Sequence, residues 1–427
     1  MGPIIAERWT LRTRSWFTCS ALTSIAVLWL TGCDTPQNDV TNPAPADTGI
    51  AGQVEALAAA SLGDPLPGLT PAELARFVAG QDEFEEVETI EEGLGPVFNE
   101  AACSTCHTNP VGGTTGRLET RFGRTGADGA FDPMVAVGGS LIQDQAIGAV
   151  GGNPPSHTYL PEVVPAEATI STGRLTTPLF GLGLVDAVPD AYLLQLARLE
   201  AVASPRTAGT PHMVVEISTG RMRVGRFGWK AQVPTLFQFS GDAYLNEMGI
   251  TSPDFPNESC PQGDCAALAF NPAPDLNNDG AAVVAFNDFM TLLAPPKRGP
   301  ISLRVFRGNL MFAQVGCAAC HTPTLVTGPS PVAALSRKVF RPFSDFLLHD
   351  MGSLGDGIVQ GNASGRQMRT APLWGIRTRT TLLHDGRATT IPAAIAAHDG
   401  QGRFARDRFF ALSLQGRAAL VEFVRSL

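Results

Sequence analysis

The spacing of apolar residues predicts helices at the end of the chain. From Arg403 to Leu427, apolar side chains recur at helical intervals: Phe404, Phe409, Phe410, Leu412, Leu414, Leu420, Val421, Phe423, Val424 and Leu427. Ser413 is a suitable N-cap for a separate last helix. Few other stretches alternate apolar and polar positions, so strands should be few and short. With 45 glycines and 33 prolines, the pattern predicts a mainly α protein with long loops.

The first 32 residues have the features of an export signal. Three arginines (Arg8, Arg12, Arg14) precede an apolar run at residues 16–30, which is too short to be a convincing membrane span. The run ends in Leu30-Thr31-Gly32-Cys33, which resembles a lipoprotein cleavage box. We therefore predict lipidation of Cys33 and a lipid-anchored position on the periplasmic side of the cell envelope. A plain signal peptide with an incidental Cys33 is the alternative.

The charge balance argues against nucleic acid as a partner. The 427 residues carry a formal net charge of −9. Without residues 1–32, 28 basic and 39 acidic side chains remain, a net charge of −11. Such an acidic chain repels a phosphate backbone. A basic patch on an electron-transfer partner would suit it better.

Four of the eight cysteines fall in two identical patterns, Cys103-Ser104-Thr105-Cys106-His107 and Cys317-Ala318-Ala319-Cys320-His321. On one helical turn, positions i, i+3 and i+4 share a face. Two thiols can then reach the vinyl groups of one porphyrin while the imidazole lies below the iron. The alternatives are zinc, which needs four clustered ligands, and redox cysteines, which do not require the histidine. We predict two covalently bound haem c groups with His107 and His321 as proximal ligands.

The remaining cysteine pair, Cys260 and Cys265, lies in Cys-Pro-Gln-Gly-Asp-Cys. In an exported protein, a disulfide is the default interpretation of such a pair. A second metal site is the weaker alternative, because no histidine lies nearby in the sequence.

The organisation along the chain predicts two haem modules and an elaboration between them. We expect a signal peptide (1–32), a flexible tether (33–70), an N-terminal haem domain (71–205), a middle elaboration that contains Cys260 and Cys265 (206–300) and a C-terminal cytochrome c-like haem domain (301–427). Weak internal repeats favour duplication. Phe98 and Phe312 each precede the first cysteine of a motif by five residues, and we expect both to lie on helices that lead into the sites. The segment 177–181 is echoed by 371–375.

Several blocks of sequence resemble the bacterial di-haem oxidoreductase family of peroxidase-like proteins, a distant relative of the di-haem cytochrome c peroxidases. The resemblance covers about residues 75–427 and is carried by Gly183–Asp190, Gly225–Lys230, Met248–Pro253, Leu348–Gly352, Arg369–Gly375 and Leu383–Ala388. It implies two cytochrome c-like domains. One haem, in the N-terminal module, would meet peroxide, and the other would feed it electrons.

The resemblance also implies roles for individual residues. His398 lies about where the peroxidases place a distal ligand, so we expect it opposite His321, with His384 and Met368 as rivals. Asp186 is the expected acid–base residue. Arg174 is the expected cation that assists peroxide cleavage or, like Arg369, a contact for haem propionates.

Further assignments are weaker. His157 is a candidate to cap the first haem at rest. Trp229 or Trp374 could lie between the haems, although core packing is the simpler interpretation of both. Asp275-Leu276-Asn277-Asn278-Asp279-Gly280 fits half of a calcium loop, but Phe286 at the twelfth position excludes an EF-hand. Calcium or an Asx-rich turn are the two interpretations.

Three functions remain open at this level. The first is a peroxidase-like oxidoreductase with an open N-terminal haem. The second is a pure electron-transfer lipoprotein in which both haems are six-coordinate. The third is oxygen-dependent oxidation of an unknown substrate. A small cytochrome, a cupredoxin or a quinol chain would be the redox partner, and peroxide or another small oxidant the substrate.

Overall fold

The computed structural model describes residues 60–274 and 279–427. The predicted signal peptide, the lipidation site at Cys33 and most of the tether therefore lie outside the described residues, as do four of the six residues of the calcium-like segment, 275–278. The described part is mainly helical with short strands, which confirms the predicted fold class at that level.

The described residues form ten α-helices, which in chain order are α1 Pro71–Glu85, α2 Cys103–Cys106, α3 Leu182–Asp186, α4 Asp190–Ala203, α5 Leu236–Met248, α6 Ala281–Leu292, α7 Leu303–Val315, α8 Ile391–Ala397, α9 Arg403–Ala411 and α10 Leu414–Arg425. Short 3-10 turns lie between them, at Ile90–Glu92, Val135–Val137, Pro261–Gly263, Cys265–Phe270, Cys317–Ala319, Gly352–Leu354, Ile376–Thr378 and Gly400–Gly402.

The strands are β1 Val97–Phe98, β2 Leu118–Thr125, β3 Phe131–Asp132, β4 Leu141–Ile142, β5 Gln145–Ala146, β6 Ala149–Val150, β7 His157–Thr158, β8 Ile170–Leu175, β9 Met213–Glu216, β10 Arg221–Val224, β11 Leu325–Val326, β12 Val339–Phe340, β13 Leu348–Asp350 and β14 Gln367–Arg369. The main pairing is antiparallel and joins β2 to β8, with Leu118 opposite Leu175 and Gly123 opposite Ile170. Strands β3 and β4 also pair with β2.

Helix α1 begins at a capping box and ends in the first hydrophobic core. The Thr70 hydroxyl accepts a hydrogen bond from the Glu73 backbone N–H, the Glu73 carboxylate accepts one from the Thr70 N–H, and Pro71 occupies the first turn. The helix crosses α6 at Gly80. A Cβ atom at Gly80 would lie 2.4 Å from the Ala285 carbonyl oxygen, so the crossing requires glycine.

Helices α7 and α10 repeat this arrangement in the second core. Ser302 caps α7 by accepting from the Val305 N–H. A Cβ atom at Gly308 would lie 2.0 Å from the Ala419 carbonyl oxygen of α10. In each crossing a phenylalanine follows the glycine by four residues: Phe84 after Gly80, and Phe312 after Gly308.

This correspondence corrects one expectation about the repeat. Phe98 lies on the two-residue strand β1, not on a helix. The counterpart of Phe312 is Phe84, whose ring centre lies 5.9 Å from that of His107, as the Phe312 ring centre lies 6.3 Å from that of His321. The equal spacing of Phe98 and Phe312 from the cysteines was misleading, because extra residues separate α1 from the first motif.

The middle region completes the first core. Its helices α5 and α6 pack with α1 and contribute Leu236, Tyr244, Phe286 and Phe289 to the buried cluster. The end of the predicted tether is also packed: Leu66 is 2% exposed, and its N–H donates to the Leu292 carbonyl at 2.7 Å. Residues 60–70 thus belong to the folded body, because their apolar side chains have a helix to pack against.

Cys260 and Cys265 form a disulfide in the middle region. The four other cysteines of the described residues are free thiols. Among residues 60–274 and 279–427, no helix has the length and apolarity to cross a membrane.

Candidate functional site

Three neighbouring cavities occupy the interior. The N-terminal cavity, about 150 Å³, is lined by the first motif, and the C-terminal cavity, about 770 Å³, by the second. A central cavity of about 310 Å³ shares walls with both. The largest falls within the ~300–1,000 Å³ range typical of ligand and cofactor sites.

In the N-terminal cavity, the single helical turn α2 places Cys103, Cys106 and His107 on one wall. Burial lowers the pKa of His107 to about 4, so its imidazole is neutral and can act as a ligand. Burial also raises the pKa of Cys103 and Cys106 to about 12. These thiols are protonated at neutral pH, which does not suit a thiolate nucleophile.

In the C-terminal cavity, Cys317, Cys320 and His321 line the wall in the same order. Burial lowers the pKa of His321 to about 4. Its Nδ1 lies 3.0 Å from the Phe343 carbonyl oxygen. The tautomer with the proton on Nδ1 donates to that carbonyl and leaves the Nε2 lone pair free for a metal, an arrangement common among metal-binding histidines.

His398 lies at the end of helix α8, in the same cavity. Its ring centre is 6.4 Å from that of His321, and its Nδ1 lies 2.8 Å from the Ala394 carbonyl oxygen. Two imidazoles that bind one metal from opposite sides, with bonds of about 2 Å each, have ring centres about 6 Å apart. The pair therefore has the separation that a shared iron requires.

The rivals for this position, His384 and Met368, line the same cavity. His384 is buried, and its ring centre lies 6.2 Å from that of Trp229. Met368 lies on β14, opposite His349 of β13. Among the aromatic contacts of the described residues, the His384 ring pairs with Trp229 and not with His321.

His349 takes part in a different cluster, next to the second attachment motif. Its Nε2 lies 2.9 Å from the Asp345 carboxylate and its Nδ1 lies 3.4 Å from the Cys320 sulfur. Burial opposes a charge on this ring, yet Asp345 raises the pKa of His349 well above its usual value. These three residues are close enough to hold a metal ion, but a thioether at Cys320 would remove that sulfur from the set.

The N-terminal cavity has a charged wall that the sequence did not predict. Glu119 and Arg121, two residues apart on β2, form a bidentate pair with N–O distances of 2.9 and 3.2 Å. Asp242 and Glu247 of helix α5 lie on the same wall. The pair on β2 follows the period of two that brings side chains to one face of a strand, and this alternation is the signal that could have identified it.

Glu247 is the carboxyl of this wall best suited to hold a proton. Burial, and next repulsion from Glu119, raises the pKa of Glu247 to about 7. Glu119 and Glu247 line the same wall, and their charges repel each other. Although burial alone would raise the pKa of Glu119, Arg121 lowers it, so Glu247 is the carboxyl of this pair that gains and loses a proton near neutral pH.

Asp186 does not lie in this wall, contrary to the expectation for an acid–base residue. It ends helix α3, lines none of the three cavities, and its carboxylate accepts a hydrogen bond from the Leu236 N–H at 3.3 Å, at the start of α5. Burial raises the pKa of Asp186 to about 6. Asp186 therefore serves as a carboxylate that accepts a backbone N–H at the start of helix α5.

Arg174 does line the N-terminal cavity, but its charge is already paired. The guanidinium lies 2.7 Å from the Asp356 carboxylate, whose other oxygen is 2.8 Å from the Lys230 ammonium. Each of the three side chains is at most 1% exposed. Arg174 thus joins the cavity wall to the C-terminal part of the chain, with a carboxylate between two cations.

Trp229 lines all three cavities. Its indole N–H donates to the Leu175 carbonyl at 2.8 Å, which fixes the ring. Trp374 lines none of them and packs against Phe340 with ring centres 5.8 Å apart. His157 also lies away from the cavities, stacked on Phe270 with ring centres 5.0 Å apart, so it does not cap the first site.

The protein-family model described as "Di-haem oxidoreductase, putative peroxidase" matches residues 166–427. This stretch is more than half of the 427 residues. The chain belongs to this di-haem oxidoreductase family. The matched stretch contains the second Cys-x-x-Cys-His motif and begins after the first. A comparison with curated proteins gives no match.

Solved structures with some likeness to this di-haem oxidoreductase include a hydrazine synthase of Kuenenia stuttgartiensis, with 14% identity over 93% of this chain and 100% of that one, at a TM-score of 0.37. The di-haem peroxidase BthA of Burkholderia thailandensis is 14% identical, with 86% of this chain and 87% of that one covered, at a TM-score of 0.37. A MauG-like protein associated with microbial copper homeostasis is 14% identical, with 87% of this chain and 93% of that one covered, at a TM-score of 0.33. Likeness at this level has no bearing on activity.

The residues of this di-haem oxidoreductase fit two haems. The N-terminal and C-terminal cavities each offer a pair of free thiols and the neutral imidazole of the motif histidine on the same wall. In the C-terminal cavity, the buried Arg369 and the half-buried Arg379 form no ion pair with any described carboxylate. A haem brings the carboxylates that such a wall lacks.

Proposed function

We propose that this protein is an exported di-haem c-type cytochrome that acts as a peroxidase-like oxidoreductase. A haem held at His321 would take up electrons, and a haem held at His107 would supply them to a small oxidant such as peroxide. One observation carries the proposal: of the two cavities that contain a Cys-x-x-Cys-His motif, the N-terminal one also has a charged wall in which Glu247 lies with the Glu119–Arg121 ion pair.

The attachment residues are Cys103, Cys106, Cys317 and Cys320, with His107 and His321 as proximal ligands. Covalently bound haem at both motifs would supply the electron exchange with the oxidant. The protein's own share of the chemistry is the handling of protons and the placement of charge around the N-terminal cavity.

Glu247 is the proposed acid–base residue in place of Asp186. With a pKa raised to about 7 by burial, its carboxyl can accept a proton from one oxygen of a peroxide and return it to the other at neutral pH. Asn99 positions it by donating its side-chain N–H at 2.7 Å. Arg121, paired with Glu119, lowers the pKa of that carboxyl and so leaves Glu247 as the group that exchanges the proton.

The second site is built for electron transfer. His321 and His398 would both hold the iron of a haem at this site, and a haem held by two histidines would serve electron transfer and not the binding of peroxide. Two imidazoles also give a lower potential than one imidazole and one thioether. Trp229, which lines both haem cavities, lies on the route between the two sites.

Charge segregation along the chain supports a particular kind of electron donor. Residues 301–427 contain 15 basic and 7 acidic side chains, a net charge of +8, whereas residues 33–300 contain 13 basic and 32 acidic, a net charge of −19. A donor that docks on the C-terminal part is therefore acidic, not basic as the overall charge suggested. A small acidic cytochrome or cupredoxin fits this requirement.

The C-terminal cavity has a mouth that such a donor can reach. Phe404 of helix α9 lines the cavity and is 59% exposed. The Arg408 guanidinium lies 5.1 Å above its ring, and Arg403 beside it is also exposed. An apolar contact ringed by arginines is a common docking arrangement for charged redox proteins.

The proposed location is the periplasmic side of the envelope, with a lipid on Cys33. The Cys260–Cys265 disulfide supports an oxidising compartment. Substitution of Cys33 by alanine is expected to release the protein from the membrane fraction into the soluble periplasmic fraction. Persistence in the membrane fraction would contradict the anchor.

Electron paramagnetic resonance of the ferric protein tests the function. The proposal predicts one low-spin signal from the second site and one high-spin or peroxide-responsive signal from the first. Alkaline pyridine spectra should give two covalent haems per chain. Two low-spin signals with no response to peroxide would instead identify a pure electron carrier. Oxidation of a substrate that requires oxygen and not peroxide would identify the third candidate function.

A further inference from the structure

Two arginines near the second haem site have charges without counter-ions. Arg369 is 7% exposed, and its donors reach only the Gly228 and Thr370 carbonyl oxygens, at 2.7 and 3.0 Å. Arg379 is half-buried. One of its Nη atoms reaches the Pro372 carbonyl at 3.4 Å, and its Nε is buried without a partner. Within the described part of the chain, neither guanidinium meets a carboxylate.

The two cations also repel each other. Burial, and then the nearby charge of Arg379, lowers the pKa of Arg369 to about 10. Burial lowers the pKa of Arg379 to about 10 as well. An uncompensated buried charge costs several kcal/mol, and two adjacent like charges add to that cost. Such a pair in a cavity wall is an arrangement for an anionic ligand.

The walls around the pair indicate where the anion comes from. Arg369 and Arg379 both line the C-terminal cavity, which contains His321, and both also line the central cavity. Thr381 adds a hydroxyl on the central side, whereas the hydroxyl of Thr378 donates to the Gly375 carbonyl. Guanidinium groups bind carboxylates through paired, charge-assisted hydrogen bonds. A haem held at Cys317 and Cys320 would carry two carboxylates of its own.

We propose that Arg369 and Arg379 form a clamp for the propionates of the haem at His321, and that Arg379 thereby sets the potential of that haem. This rests on the proposed attachment of haem at the second motif. A guanidinium that neutralises a propionate removes negative charge next to the iron and favours the ferrous state. It also keeps the propionate ionised through the neutral pH range.

Spectroelectrochemistry of the full chain, with the haem at His321 followed by its low-spin spectrum, tests the clamp. In Arg379→Gln, the midpoint potential of this haem is expected to fall. It should also acquire a pH dependence around neutrality, with the potential higher at low pH, where the unpaired propionate gains a proton. Arg379→Lys keeps the charge and should lie between Arg379→Gln and the wild type. It also serves as the test variant if the glutamine variant does not retain haem.

Arg377→Gln is the matched control. Arg377 lies two residues away, lines none of the cavities, and donates to the Leu427 carbonyl at 2.7 Å. The Arg377→Gln variant should leave the midpoint potential of the haem at His321, and the pH dependence of that potential, unchanged. A potential in Arg379→Gln that equals that of Arg377→Gln at every pH overturns the proposal.

A second arm separates propionates from free anions. Succinate added to the wild type should leave the potential of this haem unchanged, because the clamp is already filled. A shift with succinate that Arg379→Gln abolishes would show a site for free carboxylates and would overturn the propionate assignment. These measurements do not involve peroxide, so a result that overturns the clamp leaves the peroxidase proposal standing. Failure to reduce peroxide would in turn leave the clamp standing.

Discussion

The imidazole rings of His321 and His398 have their centres 6.4 Å apart, and each ring places its Nδ1 within 3.0 Å of a backbone carbonyl oxygen. The two carbonyls come from different distances along the chain: Phe343 follows His321 by 22 residues, whereas Ala394 lies one helical turn before His398. Both Nε2 atoms are left free by these contacts, as two ligands of one iron require.

Substitution of His398 is expected to change the iron at the second site. His398→Ala removes the proposed second histidine ligand, so the ferric resonance of the haem at His321 should change from low-spin to high-spin. His398→Met should keep a low-spin iron and raise its potential, because a thioether donates less strongly than imidazole. His384→Ala serves as the comparison, since His384 lines the same cavity. A spin change in His384→Ala alone would make His384 the ligand.

Glu247→Gln should slow peroxide reduction by about 10²–10⁴-fold, the usual contribution of a positioned acid–base group. Burial raises the pKa of Glu247 to about 7, and a base must be deprotonated to accept a proton. The wild-type rate should therefore rise as pH increases through about 7 and be lost as pH falls below it. The glutamine variant should lack this step. Steady-state rates with peroxide from pH 5 to 9 measure both effects.

Asp186→Asn is the control for that experiment, because its side chain keeps an oxygen for the Leu236 N–H. We expect near wild-type peroxide reduction from it. If Asp186→Asn abolishes activity while Glu247→Gln does not, the assignment of the proton-transfer residue must return to Asp186.

Alanine at Gly80 or Gly308 should destabilise the protein by about 1–3 kcal/mol, the usual cost of overpacking a tight contact. The added Cβ would lie 2.4 Å from the Ala285 oxygen in the first case and 2.0 Å from the Ala419 oxygen in the second. Urea unfolding measures the free energy of unfolding. Gly416→Ala is a helical control whose nearest neighbour would be 3.4 Å from the new Cβ, and it should be neutral or slightly stabilising. Equal effects at all three positions would contradict the tight crossings.

Reduction of the second haem by an acidic cytochrome or cupredoxin should slow as ionic strength rises, because salt screens attraction to the positively charged C-terminal part. Arg403→Glu combined with Arg408→Glu should lower the stopped-flow rate further. Arg198→Glu, an exposed change in the acidic part of the chain, is the matched control. A basic donor that reacts faster than the acidic one at low salt would refute this docking face.

The placement of the two motifs could be predicted from the sequence because it is local. One helical turn brings Cys103, Cys106 and His107 to the wall of one cavity, as their spacing predicted, and haem attachment there stays a prediction. The disulfide between Cys260 and Cys265 could also be predicted, because the two cysteines are close together in the sequence. The helices of the tail, with Ser413 as a cap, were also local and were predicted correctly.

The polar half of the first site could not be predicted in this way. Glu119 lies on strand β2 and Glu247 on helix α5, 128 residues later in the chain, and only the packing of those two elements brings them together. Asp186 was chosen because it follows a recognisable motif, but a motif does not reveal which way a side chain points. Phe98 was misassigned for a related reason: equal spacing was taken for equivalence, although an insertion separates α1 from its cysteines.

A single indole, that of Trp229, forms part of the wall of three adjacent chambers. Any side chain at this position has to fit the two cavities that contain the motifs and the central cavity at the same time. A smaller side chain would merge compartments that the fold keeps separate, and a larger one would crowd all of them. Adaptation of either redox centre to a new oxidant or donor is therefore easier at positions that face one chamber alone.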